Sequence, residues 1–373
     1  MKQLKKKQVL GILIAVFIAI IAFIFIPHTT ATPDSAVELD RSLTENLYYL
    51  DEAHYEETMK TTVSPYLEEY HTSGSFASFD GTSIHYDQYV RPNADACIVI
   101  SHGFTEFGEA YEELIYYFLY NNYSVFTIDH RGHGYSQRFS DDLSLVTITN
   151  FDDYVKDVNC YIEEIVRPAS NGAPLLLYSH SMGGTIGALY LETYPDTFEA
   201  AILSSPMIEI DLGSYPLAIT KLMCNVFQLF GLSEHYLFGH GEFTGINEFE
   251  ASGSTSQARY DYNFNRRLSD QQFQTNGGSF AWLTTSLKAT EQLIDDASLI
   301  QVPVLLFQAG QDSTVKPSGQ NQFVNNASTV QMILVPDAKH ELYRSTNDVF
   351  IPYMNTILNF YAEQLLASDG LNE

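Results

Sequence analysis

The stretch YSHSMGG, residues 178–184, sets Ser181 between an apolar run and a pair of glycines. A serine hydroxyl becomes a nucleophile only when a base takes its proton and its backbone projects it toward substrate. A sharp turn from strand to helix gives that projection. It requires small residues two positions to either side, here Ser179 and Gly183. Met182 would then start the helix, with its amide pointing to where a tetrahedral intermediate develops negative charge. A polar strand end followed by a helix cap accounts for the same letters, so this stretch alone leaves two readings open. Two later stretches favour the nucleophile. LLFQAGQDSTVKP puts Asp312 just beyond a β-rich run, and VPDAKHELY puts His340 beyond the next one. In that arrangement Asp312 accepts a hydrogen bond from the His340 ring and fixes its tautomer, while His340 takes the Ser181 proton and returns it to the leaving group. Asp337, three residues before His340, is the rival acid and falls inside a turn. Upstream, ISHGFTEFGEAY follows another β-rich run. Gly103 lets the backbone come close to a substrate carbonyl, and the Phe104 amide would join that of Met182 in an oxyanion hole. A plain strand-to-helix loop is the alternative there.

Residues so placed need a sheet whose strands end together. β-rich runs end at Gly103, Ser181, Pro206, Gly310 and His340, and another starts at Ser124. Helical patterns lie between them, near 108–121, 152–167, 182–194 and 317–326, with a last one from Phe350 to Ala367. Apolar strands alternating with helices predict an α/β fold, a mostly parallel sheet covered by helices on both faces. SFASFDGTSIHYDQYV, around Asp80-Gly81, predicts a hairpin ahead of it. From Met207 to Leu299 no clear strand is visible, and two helical apolar stretches stand in its place. This predicts a helical cap over 207–299, inserted between core segments 75–206 and 300–373, at the sheet edge where such proteins bind ligands. The polar, acidic residues 27–74 read as a linker and helical spacer that packs loosely on the domain.

The N-terminus differs from the rest. Residues 1–8 are basic, and Val9–Ile26 form an uncharged apolar run of 18 residues. At ~1.5 Å per residue the run spans ~27 Å as a helix, close to a bilayer core. An uncleaved transmembrane signal anchor is expected, with the lysines in the cytoplasm and the remaining chain on the extracytoplasmic side. Cleavage near Ala31 would make the protein secreted instead. The formal net charge of −27 excludes nucleic acid as a partner class. Cys97, Cys160 and Cys224 are far apart and form neither a disulfide framework nor a zinc motif. The histidines show no metal-binding spacing; His102 and His180 read as shaping the turns they precede, and His130 and His133 as loop hydrogen-bonding residues.

The stretch SHGFTEFGEAYEELIYYFLYNNYSVFTIDHRGHGYSQR, together with FDDYVKDV, YSHSMGGTIGALYLETYP, AGQDSTV and AKHELY, resembles the monoacylglycerol lipase and bacterial lysophospholipase branch of the α/β-hydrolases. GGSFAWLTTSLKATEQL resembles a cap segment of the bacterial lysophospholipases. The likeness covers Ser75 to Ala367. It implies the α/β-hydrolase fold and a serine esterase without metal or organic cofactor, with Ser181 as nucleophile, Asp312 as acid, His340 as base, and Phe104 and Met182 as oxyanion donors. Two positions depart from the family pattern: Ser179 replaces the usual glycine or alanine, and Asp337 replaces a common glycine. The expected protein is a membrane-anchored serine hydrolase acting on lipid esters, lysophospholipid or monoacylglycerol. The alternatives are a short-chain carboxylesterase or peptidase of the same fold, or a non-catalytic binding protein. Head group, acyl length and oligomeric state are not written in the sequence.

Overall fold

The computed structural model describes residues 30–44 and 49–370. The expected basic segment and anchor, residues 1–26, lie outside the described residues. Among the described residues no helix is long and apolar enough to cross a membrane.

The strands are β1 (Val37–Glu38), β2 (His71–Ala77), β3 (Ser83–Tyr89), β4 (Ala96–Ser101), β5 (Tyr123–Ile128), β6 (Leu145–Val146), β7 (Leu175–His180), β8 (Ala200–Ser204), β9 (Gly277–Gly278), β10 (Val304–Ala309) and β11 (Val330–Val335). The main helices are α1 (residues 55–68), α2 (Glu112–Tyr120), α3 (residues 152–170), α4 (Met182–Thr193), α5 (Leu217–Leu229), α6 (Gln257–Ser269), α7 (Phe280–Asp296), α8 (Pro317–Asn326) and α9 (Asn347–Gly370). Both α1 and α3 widen to a π-helical turn, at Met59–Val63 and Ile162–Val166, just ahead of Pro65 and Pro168. A proline inside a helix has no N–H to donate and crowds the carbonyl four residues back, and the wider turn makes room for it.

Among the described residues nine strands form one sheet in the order β1-β11-β10-β8-β7-β4-β5-β3-β2. β2, β3 and β5 pair antiparallel and the rest are parallel. The β2–β3 hairpin turns at Asp80-Gly81 as expected, with Gly81 at φ 86°. Every residue of β4, β5, β7, β8 and β10 is buried, which is why these strands read as continuous apolar runs. Two apolar cores flank the sheet. One includes Ile186 of α4 and Leu293 of α7, the other Phe118 of α2 and Tyr361 of α9. The strand order reverses between β4 and β7, so the loops leaving their carboxyl ends diverge and open a crevice.

Two regions differ from the sequence reading. The described residues of 34–70 are bound into the domain rather than loosely set on it. β1 extends the sheet along β11, and Leu39, Leu50, Tyr55, Met59, Val63 and Leu67 are buried. Their apolar side chains are spaced widely among acidic ones, so the segment looks solvated while one stripe of it is core. Only residues 55–68 of it form a long helix. Within 207–299, α7 packs against α4 and α8 as well as α5, so this helix serves the core and the cap together. A short parallel pair, Leu145–Val146 with Gly277–Gly278, also ties the segment to the core.

Candidate active site

Ser181 sits at the tip of the β7–α4 turn with φ 52° and ψ −118°. A non-glycine residue holds positive φ at an energetic cost of about 1–3 kcal/mol and keeps it only where its surroundings enforce it. Here they do. The Ser181 amide donates to the Ser204 carbonyl at 3.1 Å, and the Ser181 carbonyl accepts from Met207 at 2.9 Å and Gly184 at 2.9 Å. A Cβ on Gly183 would stand 2.1 Å from the Ser101 carbonyl oxygen, and one on Gly184 would stand 2.7 Å from Pro206. The glycines thus let the start of α4 press against the ends of β4 and β8. Ser179 takes the small-residue place beneath the turn. Its hydroxyl donates to the Ile202 carbonyl at 3.1 Å and lies where a Cβ on Gly187 would meet it at 2.9 Å. The departure from the family pattern is accommodated by a glycine one helical turn along.

Asp312 and His340 leave β10 and β11 at the same edge. His340 Nδ1 lies 2.7 Å from Asp312 Oδ2, and His340 Nε2 lies 2.8 Å from Ser181 Oγ. The other carboxylate oxygen of Asp312 accepts the Thr314 and Val315 amides at 2.8 and 3.0 Å. Burial alone would raise the Asp312 pKa, but the His340 ring and these two amides outweigh it and hold the carboxyl below its ordinary range. With Nδ1 committed as donor to a carboxylate, Nε2 is left as acceptor for the Ser181 hydroxyl. Gly310 makes the approach possible, since a Cβ there would sit 2.4 Å from the Pro336 carbonyl oxygen. Asp337 does not reach His340; its carboxylate pairs with Arg41 on the surface.

Phe104 and Met182 both lie beside Ser181, and among the described residues neither amide donates to a protein acceptor. Met182 opens α4, where the first amides have no intrahelical partner. His102 braces the Phe104 loop. Its Nδ1 donates to the Gly103 carbonyl at 2.7 Å and its Nε2 accepts the His130 amide at 3.0 Å. Burial pushes the pKa of His102, His130 and His133 below the ordinary value and that of His180 down to about 4.

Above Ser181 opens a cavity of about 400 Å³, walled by Phe104, Met207, Met223, Phe280, Trp282 and Val315 among others. Phe104 stacks on Trp282 with ring centroids 4.1 Å apart. Residues of the 207–299 segment pack on the loop that carries His340: the Glu341 amide donates to Gly253 at 2.8 Å and the Ser256 amide to Arg344 at 3.0 Å. Sequence reasoning passed over Glu106, Tyr343 and Arg344, all buried beside the site. The available signal was an acidic residue two positions after Phe104, within a segment otherwise read as the oxyanion loop.

Residues 92–347 match the family described as serine aminopeptidase, S33. Lysophospholipase L2 of Escherichia coli is 25% identical over 294 residues, covering 77% of this chain and 86% of the relative. Human monoglyceride lipase is 33% identical over 123 residues, 32% of this chain and 39% of the relative. Among solved structures, a soluble variant of Saccharomyces cerevisiae monoglyceride lipase in complex with a substrate analog superposes with a TM-score of 0.62 at 21% identity, covering 79% of this chain and 94% of that one. A carboxyl esterase from Bacillus coagulans gives 0.65 at 17% identity, covering 79% and 99%. At these identities the two structures speak for the fold.

Proposed function

The chain belongs to the serine aminopeptidase, S33, family of α/β-hydrolases, and within it we propose that this protein hydrolyses carboxylic esters of lipids, with lysophospholipid or monoacylglycerol as the substrate class. The observation that carries the reading is the 2.8 Å contact between Ser181 Oγ and His340 Nε2 at the floor of an apolar cavity. The lysophospholipase and monoglyceride lipase relatives support the lipid class.

In the proposed cycle His340 Nε2 takes the Ser181 proton as Oγ attacks the ester carbonyl carbon. The Phe104 and Met182 amides hold the oxyanion. Asp312 stabilises the imidazolium, which passes its proton to the departing alkoxide and leaves an acyl-serine. Water then attacks the acyl carbon, gives its proton to Nε2, and the fatty acid departs as the proton returns to Ser181. The acyl chain lies along the apolar cavity. The outer face of α5 carries exposed Leu222, Val226 and Leu229, and its inner face supplies Met223 to the same cavity. A lipid aggregate fits that continuity. Lys2, Lys5, Lys6 and Lys7 ahead of the apolar run Val9–Ile26 support a single-pass tether with the catalytic domain outside the cytoplasm.

The family description favours a second reading, an aminopeptidase. Such an enzyme needs an acidic group to hold the α-ammonium of its substrate. Asp211 is the sole carboxylate among the described cavity-lining residues, and it faces Lys316 at 3.8 Å. Labelling of the full-length protein in detergent by a fluorophosphonate probe, wild type against Ser181→Ala, tests the nucleophile. Loss of labelling confined to the mutant supports it, and equal labelling of both removes it. Turnover of monoacyl lipid esters against amino-acid arylamides then separates the two substrate classes.

A further inference from the structure

Glu106 is buried, 8% exposed, in the loop that carries Phe104. Its Oε2 accepts the Gly103 amide at 2.7 Å and the Tyr111 hydroxyl at 2.5 Å. Its Oε1 accepts the Tyr343 hydroxyl and lies 3.9 Å from Nε2 of His180. Each contact belongs to a different part of the site. Gly103 precedes Phe104, His180 precedes Ser181, and Tyr343 follows His340 by three residues. The rings between them are in contact: His180 lies 5.1 Å from Tyr343 and 4.9 Å from His340, centroid to centroid, and Tyr111 stacks on Tyr343 at 4.6 Å. From these contacts we infer that Glu106 is a positioning residue, one buried carboxylate that fastens the oxyanion loop to the base loop, with the His180 ring of the nucleophile turn packed between them.

Removing a carboxylate from water is expensive, and the site keeps it only because donors surround it. Burial alone would raise the Glu106 pKa, but His180, the buried Arg344 guanidinium and the two tyrosine hydroxyls outweigh it and hold the group ionised. An ionised carboxylate accepts at both oxygens, and the Gly103 amide and the two tyrosine hydroxyls each offer a proton. No other common side chain serves a backbone amide and two hydroxyls at this distance. The amide fixes the requirement most firmly, because Gly103 N–H cannot turn into an acceptor. A Cβ on Gly103 would meet Glu106 Oε2 at 2.8 Å, so the loop and the carboxylate are fitted to each other. Glu106 touches no position where substrate reacts. It acts through the placement of the Phe104 amide and of the His340 ring, and misplacement of such groups by about 1 Å lowers turnover about a hundredfold.

The inference rests on the serine hydrolase reading, and the experiment separates the two. Turnover of a lipid ester and fluorophosphonate labelling are measured for wild type, Ser181→Ala, Glu106→Gln, Glu106→Leu, Tyr343→Phe and the Glu106→Gln/Tyr343→Phe double variant, each with its melting temperature. Glu106→Gln keeps one oxygen for the Gly103 amide but turns an NH₂ toward a tyrosine. We expect kcat to fall about tenfold there and about a hundredfold in Glu106→Leu, with KM within about twofold of wild type in both. Tyr343→Phe cuts only the link to the base loop and lowers kcat about threefold. The double variant should be no worse than Glu106→Gln alone, because both remove one connection. If Glu106→Leu fails to fold, Glu106→Gln and the double variant decide. Wild-type kcat in folded Glu106→Gln, or losses that multiply in the double variant, overturns the inference while leaving the nucleophile intact. Persistent labelling of Ser181→Ala overturns the underlying reading instead.

Discussion

At the carboxyl edge of the sheet, Ser101, His102, Ser179, His180 and Ser204 are buried polar residues, each with a hydrogen-bond partner. Across the cavity, the segment from Tyr215 to Ile246 leaves Leu222, Leu229, Phe230, Phe238 and Ile246 more than half exposed. One wall inverts the usual placement of polar groups and the other inverts the usual placement of apolar ones. The difference is physical. A buried polar group is tolerated only in one geometry, since losing its partner costs about 1–3 kcal/mol. An exposed leucine is tolerated in almost any. The edge is therefore held in one geometry by its partners, while the apolar side chains of residues 215–246 are constrained by few. Changes at the edge carry the largest expected effects. Ser181→Ala and Asp312→Asn should each lower kcat by about 10⁴-fold or more, with melting temperatures near that of wild type. A steady-state assay beside a thermal melt checks both, and an Asp312→Asn protein within tenfold of wild type would remove Asp312 from the proposed triad.

The segment 207–299 is fastened to the core at Arg259 of α6. Its guanidinium grips both oxygens of Glu113 on α2 at 2.7 and 2.8 Å, donates to the Ser345 carbonyl at 2.7 Å, and lies 4.2 Å from the Phe350 ring. It is 2% exposed. Arg259→Met leaves the Glu113 carboxylate buried without its cation, and a loss of about 3–5 kcal/mol is expected in chemical denaturation. Arg259→Met combined with Glu113→Leu should recover much of it, which distinguishes a stranded charge from lost packing.

Neither Arg259 nor Glu106 could be read from the sequence with its partner, because Glu113 lies 146 residues from Arg259 and Tyr343 lies 237 from Glu106. The strand-to-helix turn at Ser181 was legible because everything that makes it is local: an apolar strand, small residues on each side, then a helix. The alternation of strands and helices was legible for the same reason, since fully buried parallel strands are continuous apolar runs. The described part of 34–70 misled because its many carboxylates mark the outer side of elements whose inner side is core. The two-residue pairing of β6 with β9 leaves no signature, since Gly277 and Gly278 have no side chains to alternate.

A smaller effect follows from the buried imidazoles at the edge. Burial lowers the pKa of His102, His130, His133 and His180, the last to about 4. In the unfolded chain each titrates near 6.5. Below that value the unfolded state binds protons that the folded state refuses. Their contribution to stability is therefore full above pH 6.5 and is lost as pH falls toward the folded value, roughly 3 kcal/mol for His180 alone by pH 4. His71 and His85 oppose this. The hydrogen bond to Asp87 raises the first; for the second, burial pulls down but Asp87 and Asp129 prevail. The net expectation is a melting temperature that drops between pH 6.5 and 4, and a flatter profile in His180→Gln. A profile in His180→Gln as steep as that of wild type would show that this ring is not the source.

The cap supplies the smallest and most selective effect. Leu229 is 81% exposed and Phe230 71%, so replacing both by serine removes no packing and should change stability by less than about 0.5 kcal/mol. The pair lies at the end of α5, the helix whose inner face supplies Thr220 and Met223 to the cavity. Transfer of such side chains from water into lipid contributes about 25 cal/mol per Å² of apolar area, and only part of each would be buried at an interface. A Leu229→Ser/Phe230→Ser protein should therefore turn over micellar or vesicle-borne ester about three- to tenfold more slowly, while a soluble short-chain ester is cleaved at the wild-type rate. Equal slowing on both substrates would mean that the outer face of α5 shapes the cavity from behind.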